Sequence, residues 1–342
     1  MIELKTPRGL PVKVPETSEE DVSPKFSPLD REGIRAYYET NGYAVVKGAF
    51  SPDECDAIRA LWEEEVKPSG DFIYRQATAK AERHVFNANH WVMNPILNLQ
   101  SVDPRRYPRF REFATGKILT APRMRDVFTA ILGGEAPKIV QSMYFEGNSA
   151  TWEHQDSYYL DSEKVGTMAA AWIALEDIKA SAGRFFICPR SHLIDLGRQS
   201  MMNNIADNHE VYIQSVVKRV RELGLEIRAP KLDKGDVLFW NAWTIHGSLD
   251  SQDPERPRSS ITCHAIADSH RFLQLQTRIL PLALDTVNGV RVHRPKDLAR
   301  FRNRVIFLVE TRFPKAFYGL KKFLVRTMVR LKGARASANP AA

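Results

Sequence analysis

His154 and Asp156, with one residue between them, and His246, 92 residues after the first histidine, are the side chains in this sequence best placed to bind a metal. Two imidazoles and one carboxylate can hold one face of a six-coordinate Fe(II). The opposite face then stays open to an oxidant and O2. Zinc accepts the same ligands, so a zinc-dependent hydrolase is the competing chemistry. Arg258, twelve residues beyond His246, separates the two. A guanidinium at the head of an apolar strand is costly to bury unless it is paired. Its planar fork suits a carboxylate, such as the distal one of 2-oxoglutarate. Arg256 is its rival, because on a strand it would face the same way.

The elements around these residues must bring them together. On an extended strand His154 and Asp156 would share a face with Trp152 and Tyr158. His246 follows a strand signature at Asp236–Trp240, where the mouth of a barrel could supply a third ligand. Further strands are expected at Ala44–Val46, Lys138–Glu146, Thr167–Leu175, Arg184–Cys188 and Ser259–Ala267. A helix from Asp30 stops at Asn41-Gly42, and Ser51 with Glu54 forms a capping box for a second helix through Val66. Others are expected at Ala121–Leu132 and around Val211–Leu223. Many short strands with few βαβ alternations argue for a mainly β fold with peripheral helices, a jelly-roll barrel. Residues 67–108 are read as irregular, and so long an irregular stretch is more often functional than idle.

The chain has 342 residues, 43% of them apolar and 26% charged, which excludes a disordered protein. It has no apolar run long enough for a transmembrane helix and no secretory h-region. The unpaired spacing of Cys55, Cys188 and Cys263 suggests reduced thiols and a cytoplasmic home. The net charge of +8 belongs to the end of the chain: after Glu310 come eight basic residues and no acid. Three regions are expected: a poorly ordered leader at 1–27, a catalytic domain at 28–290, and a basic helical extension at 291–342.

The stretches NGYAVVKGAFSPDECDAIRALW, WEHQDSYY, AAWIALEDIKASAGRFFICPRSHL, KGDVLFWNAWTIHGS and RSSITCHAIA together resemble the phytanoyl-CoA dioxygenase family of Fe(II)- and 2-oxoglutarate-dependent oxygenases. They span roughly residues 30–270. The resemblance implies a double-stranded β-helix (cupin-like), a metal triad of His154, Asp156 and His246, and Arg258 and Trp172 at the 2-oxoglutarate site. Gln141 and Tyr144 are carried as further co-substrate contacts. The carboxylate at Asp156 implies hydroxylation or a related oxidation, with release of succinate and CO2, rather than halogenation. Arg190 departs from the family by occupying a glycine slot in the turn Pro189-Arg190-Ser191-His192. A non-enzymatic cupin-like binding protein remains a further alternative.

The substrate is expected to be a small-molecule or carrier-bound metabolite. Arg83, His84, Asn87, His90 and Trp91 cluster in the irregular stretch and suit a substrate lid, with Tyr158 beside the triad. Between Ala316 and Leu331 apolar residues recur at helical spacing among basic ones. Such a helix can lie on an anionic membrane surface, meet an acidic carrier, or pack on the body. Nothing points to sequence-specific nucleic-acid binding.

Overall fold

The computed structural model describes residues 1–147, 149–194, 196, 205–275 and 278–323. In chain order its main elements are β1 (Ile2–Lys5), β2 (Pro11–Val14), α1 (Arg31–Asn41), β3 (Tyr43–Val46), α2 (Pro52–Leu61), α3 (Pro122–Ile131), β4 (Pro137–Phe145), β5 (Thr151–His154), β6 (Ala169–Ala174) and β7 (Phe185–Ile187). Then come α4 (Ile205–Glu222), β8 (Val237–Asn241), β9 (His246–Ser248), β10 (Ser260–Ala267), β11 (Leu284–Val287), β12 (Val290–His293) and α5 (Phe301–Arg312).

The large sheet runs β11-β12-β4-β10-β6-β8-β3, and a small sheet of β7-β9-β5 lies apart from it. Strand β6 explains the layering. It is apolar throughout because both of its faces are buried. Ala171 and Ile173 join a core with Ile34, Ile58, Trp62 and Phe128 of the helical segments. Ala170 and Trp172 point the other way, into a cluster with Leu238, Trp240 and the small sheet's Phe185 and Ile187. Helices thus cover the outside of the large sheet, and the small sheet closes over its inside. The fold is the expected jelly roll, a double-stranded β-helix with peripheral helices. Each large apolar side chain in these layers contributes about 1.5–3 kcal/mol by leaving water.

Helix starts and stops follow the sequence. Ser51 and Glu54 form both bonds of the capping box, and Gly42 closes α1 in the left-handed conformation at φ +78°. Arg190 also adopts φ +64°, which explains why a glycine would suit that slot.

Two domain boundaries are corrected. Residues 1–27 are not a loose leader: β1 and β2 form a hairpin. Val12 and Val14 pack on Phe186 and Leu249, beside the small sheet. Arg184, just before β7, is buried and donates to the Pro15 and Ile178 carbonyls. The polar composition of the segment hid a few apolar residues at alternating positions. The boundary at 290 also fails, because β12 pairs in parallel with β4 and buries Val292 in the main core. Residues 314–323 are helical, while the rest of the helix expected to Leu331 lies outside the described residues.

Candidate metal centre

Strand β5 ends at His154, Gln155 stays extended, and Asp156 opens a 3₁₀ turn through Tyr158. The two residues therefore do not share a strand, as alternation alone suggested. A bend, not a pleat, sets Asp156 beside His154. Strand β9 supplies the third group, with His246 directly opposite His154. Gly247 allows the close approach, since a Cβ there would stand 2.5 Å from the Thr151 carbonyl oxygen.

The three side chains converge, with one ligand atom from each within 4.8 Å of the others. His154 Nε2 lies 3.7 Å and His246 Nε2 3.5 Å from Asp156 Oδ1. Nδ1 of His154 is 2.8 Å from the Trp152 carbonyl, and Nδ1 of His246 is 2.9 Å from that of Thr244. A carbonyl only accepts, so each Nδ1 carries the proton. Both Nε2 lone pairs are then directed at the shared centre. The other oxygen of Asp156 accepts a 2.8 Å hydrogen bond from Trp240 Nε1 and lies 3.4 Å from His264 Nε2. Burial alone would raise the Asp156 carboxyl, but His246, His264 and His154 around it hold it well below the usual carboxylate range. Burial lowers the His246 imidazole, which favours the neutral form that ligates. Phe185 stacks on His246 at 5.3 Å between centroids, and Trp240 lies 5.0 Å from it.

Sequence reasoning missed Trp240 and His264, the groups that orient Asp156. Parity could have found His264, since Ser260, Thr262 and His264 alternate along the strand that Arg258 precedes. Trp240→Phe keeps an aromatic wall but removes the indole donor. Iron affinity is expected to fall about 10- to 100-fold with all three ligands intact. Anaerobic Fe(II) titration of the variant checks this, and an unchanged affinity would remove Trp240 from the site.

Arg258 lies just before β10, fully buried, and its Nη1 donates to the Gly183 carbonyl at 2.7 Å. Its Nε has no hydrogen-bond partner, and among the described residues no carboxylate pairs with it. Burial pulls this guanidinium down to about 9. Trp172 lies 5.8 Å away, and Phe185 connects Trp172 to His246. Arg256 is resolved as a surface residue, exposed and 2.7 Å from Asp253. It sits in a turn, so strand parity never applied to it.

Gln141 is the cross-strand neighbour of His264, and its Oε1 is buried without a partner. Tyr144 is a correction: it turns to the opposite face of β4 and stacks on Trp62 at 4.3 Å, in the helix-side core. The candidates for substrate contact at 83–91 are engaged by other parts of the chain. His84 is held by the Val66 carbonyl and Arg75, and burial lowers it to about 4. Arg83 donates to the Gly70 carbonyl. Asn87 and Trp91 reach the Pro254 and Glu255 carbonyls, and His90 sits at the turn between them with φ +64°. The segment braces the turn that precedes Arg258. Tyr158 stacks on Tyr212 at 3.7 Å and is buried.

The groups fit the co-substrate and metal expected of them. The donor set is that of a facial triad, and a buried guanidinium without a protein acid suits an incoming dicarboxylate.

Residues 38–258 match the family model for phytanoyl-CoA dioxygenase (PhyH). The peroxisomal phytanoyl-CoA dioxygenase of Bos taurus is 23% identical over 289 residues, covering 80% of this chain and 81% of that one. The Homo sapiens protein of the same name is 24% identical over 298 residues, covering 80% and 81%. The fold is similar to that of the epimerase SnoN solved with Fe3+, alpha ketoglutarate and nogalamycin RO, at a TM-score of 0.52 and 19% identity, covering 78% of this chain and 99% of that one. It is also similar to EctD from S. alaskensis with 2-oxoglutarate and 5-hydroxyectoine, at a TM-score of 0.51 and 17% identity, covering 82% and 94%.

Proposed function

This chain belongs to the phytanoyl-CoA dioxygenase family, and on that footing we propose how its residues divide the work of an Fe(II)- and 2-oxoglutarate-dependent dioxygenase. The protein is an enzyme of that class. The observation that carries the assignment of roles is the buried Arg258, which has no acid of its own among the described residues and lies along an aromatic path from the triad. A zinc hydrolase would give it no task.

In this proposal His154, Asp156 and His246 hold Fe(II), Arg258 grips the far carboxylate of 2-oxoglutarate, and Trp172 and Gln141 flank the co-substrate. Bound iron and 2-oxoglutarate supply the oxidising chemistry, with succinate and CO2 released. The chain's own residues bind, orient and shield. The Trp152 and Thr244 carbonyls fix both imidazoles, Trp240 fixes the carboxylate, and Phe185 and Trp240 limit water around His246. Exclusion of water strengthens every charge interaction in the pocket.

For substrate, a cavity of about 530 Å³ lies between β4, the segment 71–107 and α5. Ile73, Val102, Val140, Leu160, Phe272 and Leu280 make much of its wall apolar, and Gln141 reaches it from beside His264. We assign this cavity to a small-molecule or carrier-bound metabolite with a sizeable apolar portion. The cationic C-terminal segment adds contact with an anionic surface to this reading.

Oxygen uptake coupled to succinate release, measured over candidate apolar metabolites, is the test. Turnover is expected with Fe(II) and 2-oxoglutarate and not with Zn(II). Equal product formation with zinc and no oxygen would transfer the assignment to a hydrolase.

A further inference from the structure

Helix α5 is built inside out. Its side facing the body carries Asn303, Phe307 and Glu310, and Glu310 is buried although it is an acid. Its carboxylate accepts from the Tyr74 hydroxyl and the Ala81 backbone amide, each at 3.0 Å, and from Tyr318. Arg304 caps nearby carbonyls, donating to that of Ala299 at 2.7 Å. The side facing away carries Phe301, Val305, Ile306 and Val309, all exposed, and Leu308 lies at its edge, on the rim of the cavity. Phe301 is 73% exposed and Leu308 64%, and Phe313, just past the helix, is 61% exposed. An ordinary surface helix shows the reverse pattern. So much contiguous apolar surface marks a contact site.

The charge around that face restricts the occupant. From residue 300 to 323 the chain carries seven basic residues and one acid, and that acid is the buried Glu310. A second copy would oppose cation to cation, which disfavours a symmetric dimer through this surface. An anionic lipid surface offers both halves of the complement: phosphate groups for the cations, and acyl chains for Phe301, Leu308 and Phe313. Among the described residues no helix is long and apolar enough to cross a membrane, so the contact is peripheral. The position of α5 adds a reason for it. Arg304, Phe307, Leu308 and Thr311 form one wall of the cavity that Gln141 also lines.

We propose that the outward face of α5 docks on an anionic lipid surface and holds the mouth of the cavity against it. A substrate dissolved in lipid would then reach the cavity without crossing water. The claim concerns attachment, so it stands or falls apart from the oxygenase chemistry.

The test is flotation of the full-length protein with vesicles of phosphatidylcholine alone and of phosphatidylcholine mixed with phosphatidylglycerol, at low and high salt. Binding is expected only to the mixed vesicles, and salt should weaken it. The double variant Phe301→Glu/Val305→Glu removes apolar contact and adds repulsion, so binding should fall at least about tenfold. Both side chains are exposed and neither lines the cavity, so the variant's iron affinity should match that of the wild type. Absence of flotation, or equal flotation of wild type and variant, would overturn the proposal. So would a lipid-free dimer that the variant dissociates, which assigns the face to a second copy. A lower melting temperature of the variant without lipid, with no vesicle binding by either protein, would assign it to the chain's own C-terminus.

Discussion

Asp156→Ala is expected to bring Fe(II) binding and 2-oxoglutarate turnover to background while leaving the protein folded. The carboxylate is the single negative charge of the triad, 3.7 Å and 3.5 Å from the two imidazole nitrogens that share its centre. Removing one member of a buried charged cluster costs about 3–5 kcal/mol, or roughly 100- to several-thousand-fold in affinity. Two neutral imidazoles alone do not replace it. The effect on the metal-free fold should be smaller, because two changes oppose each other. Trp240 Nε1 loses its acceptor, which costs about 1–3 kcal/mol. The burial penalty of the carboxylate disappears at the same time. The separation is measurable by anaerobic thermal melting. Iron should raise the melting temperature of the wild type, since it binds the native state, and leave that of the variant unmoved. Stoichiometric iron with undiminished succinate release in the variant would remove Asp156 from the centre.

Arg258→Met should split function from stability in the opposite sense. The methionine fills much of the same space without a charge. Loss of one partner from a desolvated charge pair costs about 2–5 kcal/mol, so the apparent KM for 2-oxoglutarate should rise roughly 30- to several-thousand-fold. Iron affinity should hold, because Arg258 ligates nothing. Without co-substrate the variant should be at least as stable as the wild type. Burial already depresses the guanidinium to about 9, and among the described residues no acid compensates it. Replacing such a charge by an apolar side chain is commonly neutral or stabilising. Adding 2-oxoglutarate should reverse the order by stabilising only the wild type. A variant that melts far below the wild type and retains the normal KM would mean that Arg258 is a structural brace.

The sequence carried the barrel strands well, because β6 and β8 are apolar on both faces, β4 and β10 alternate apolar with polar residues at least in part, and turn residues bound all four. It carried the triad by residue type and order, and Arg258 by its place at the head of a strand. It misled where alternation was extended past the end of an element. Asp156 and Tyr158 lie in a 3₁₀ turn, so the shared face inferred for Trp152, His154, Asp156 and Tyr158 does not exist. Arg256 failed as a rival for the same reason. Tyr144 was one residue out of phase with the inner face that Gln141 and Met143 occupy, and one residue on a strand reverses the side chain. The polar segment 83–91 looked like a substrate lid because its residue types suit binding. Its hydrogen bonds instead go to backbone carbonyls, a use of Asn, His and Trp that composition does not distinguish from ligand contact. The inverted helix α5 was invisible for a different reason. Apolar periodicity says that a helix has two faces, and only the packing of Glu310 says which one turns inward.

The central claim is that the triad and Arg258 form one site for iron and 2-oxoglutarate together. Anaerobic absorption spectroscopy tests it directly, because 2-oxoglutarate chelated to Fe(II) gives a visible charge-transfer band that neither component gives alone. The purified protein loaded with Fe(II) should develop that band on titration with 2-oxoglutarate. Arg258→Met should need far more co-substrate to reach it, and Asp156→Ala should not show it. A wild-type protein that holds iron stoichiometrically yet shows no band at saturating 2-oxoglutarate would contradict the account.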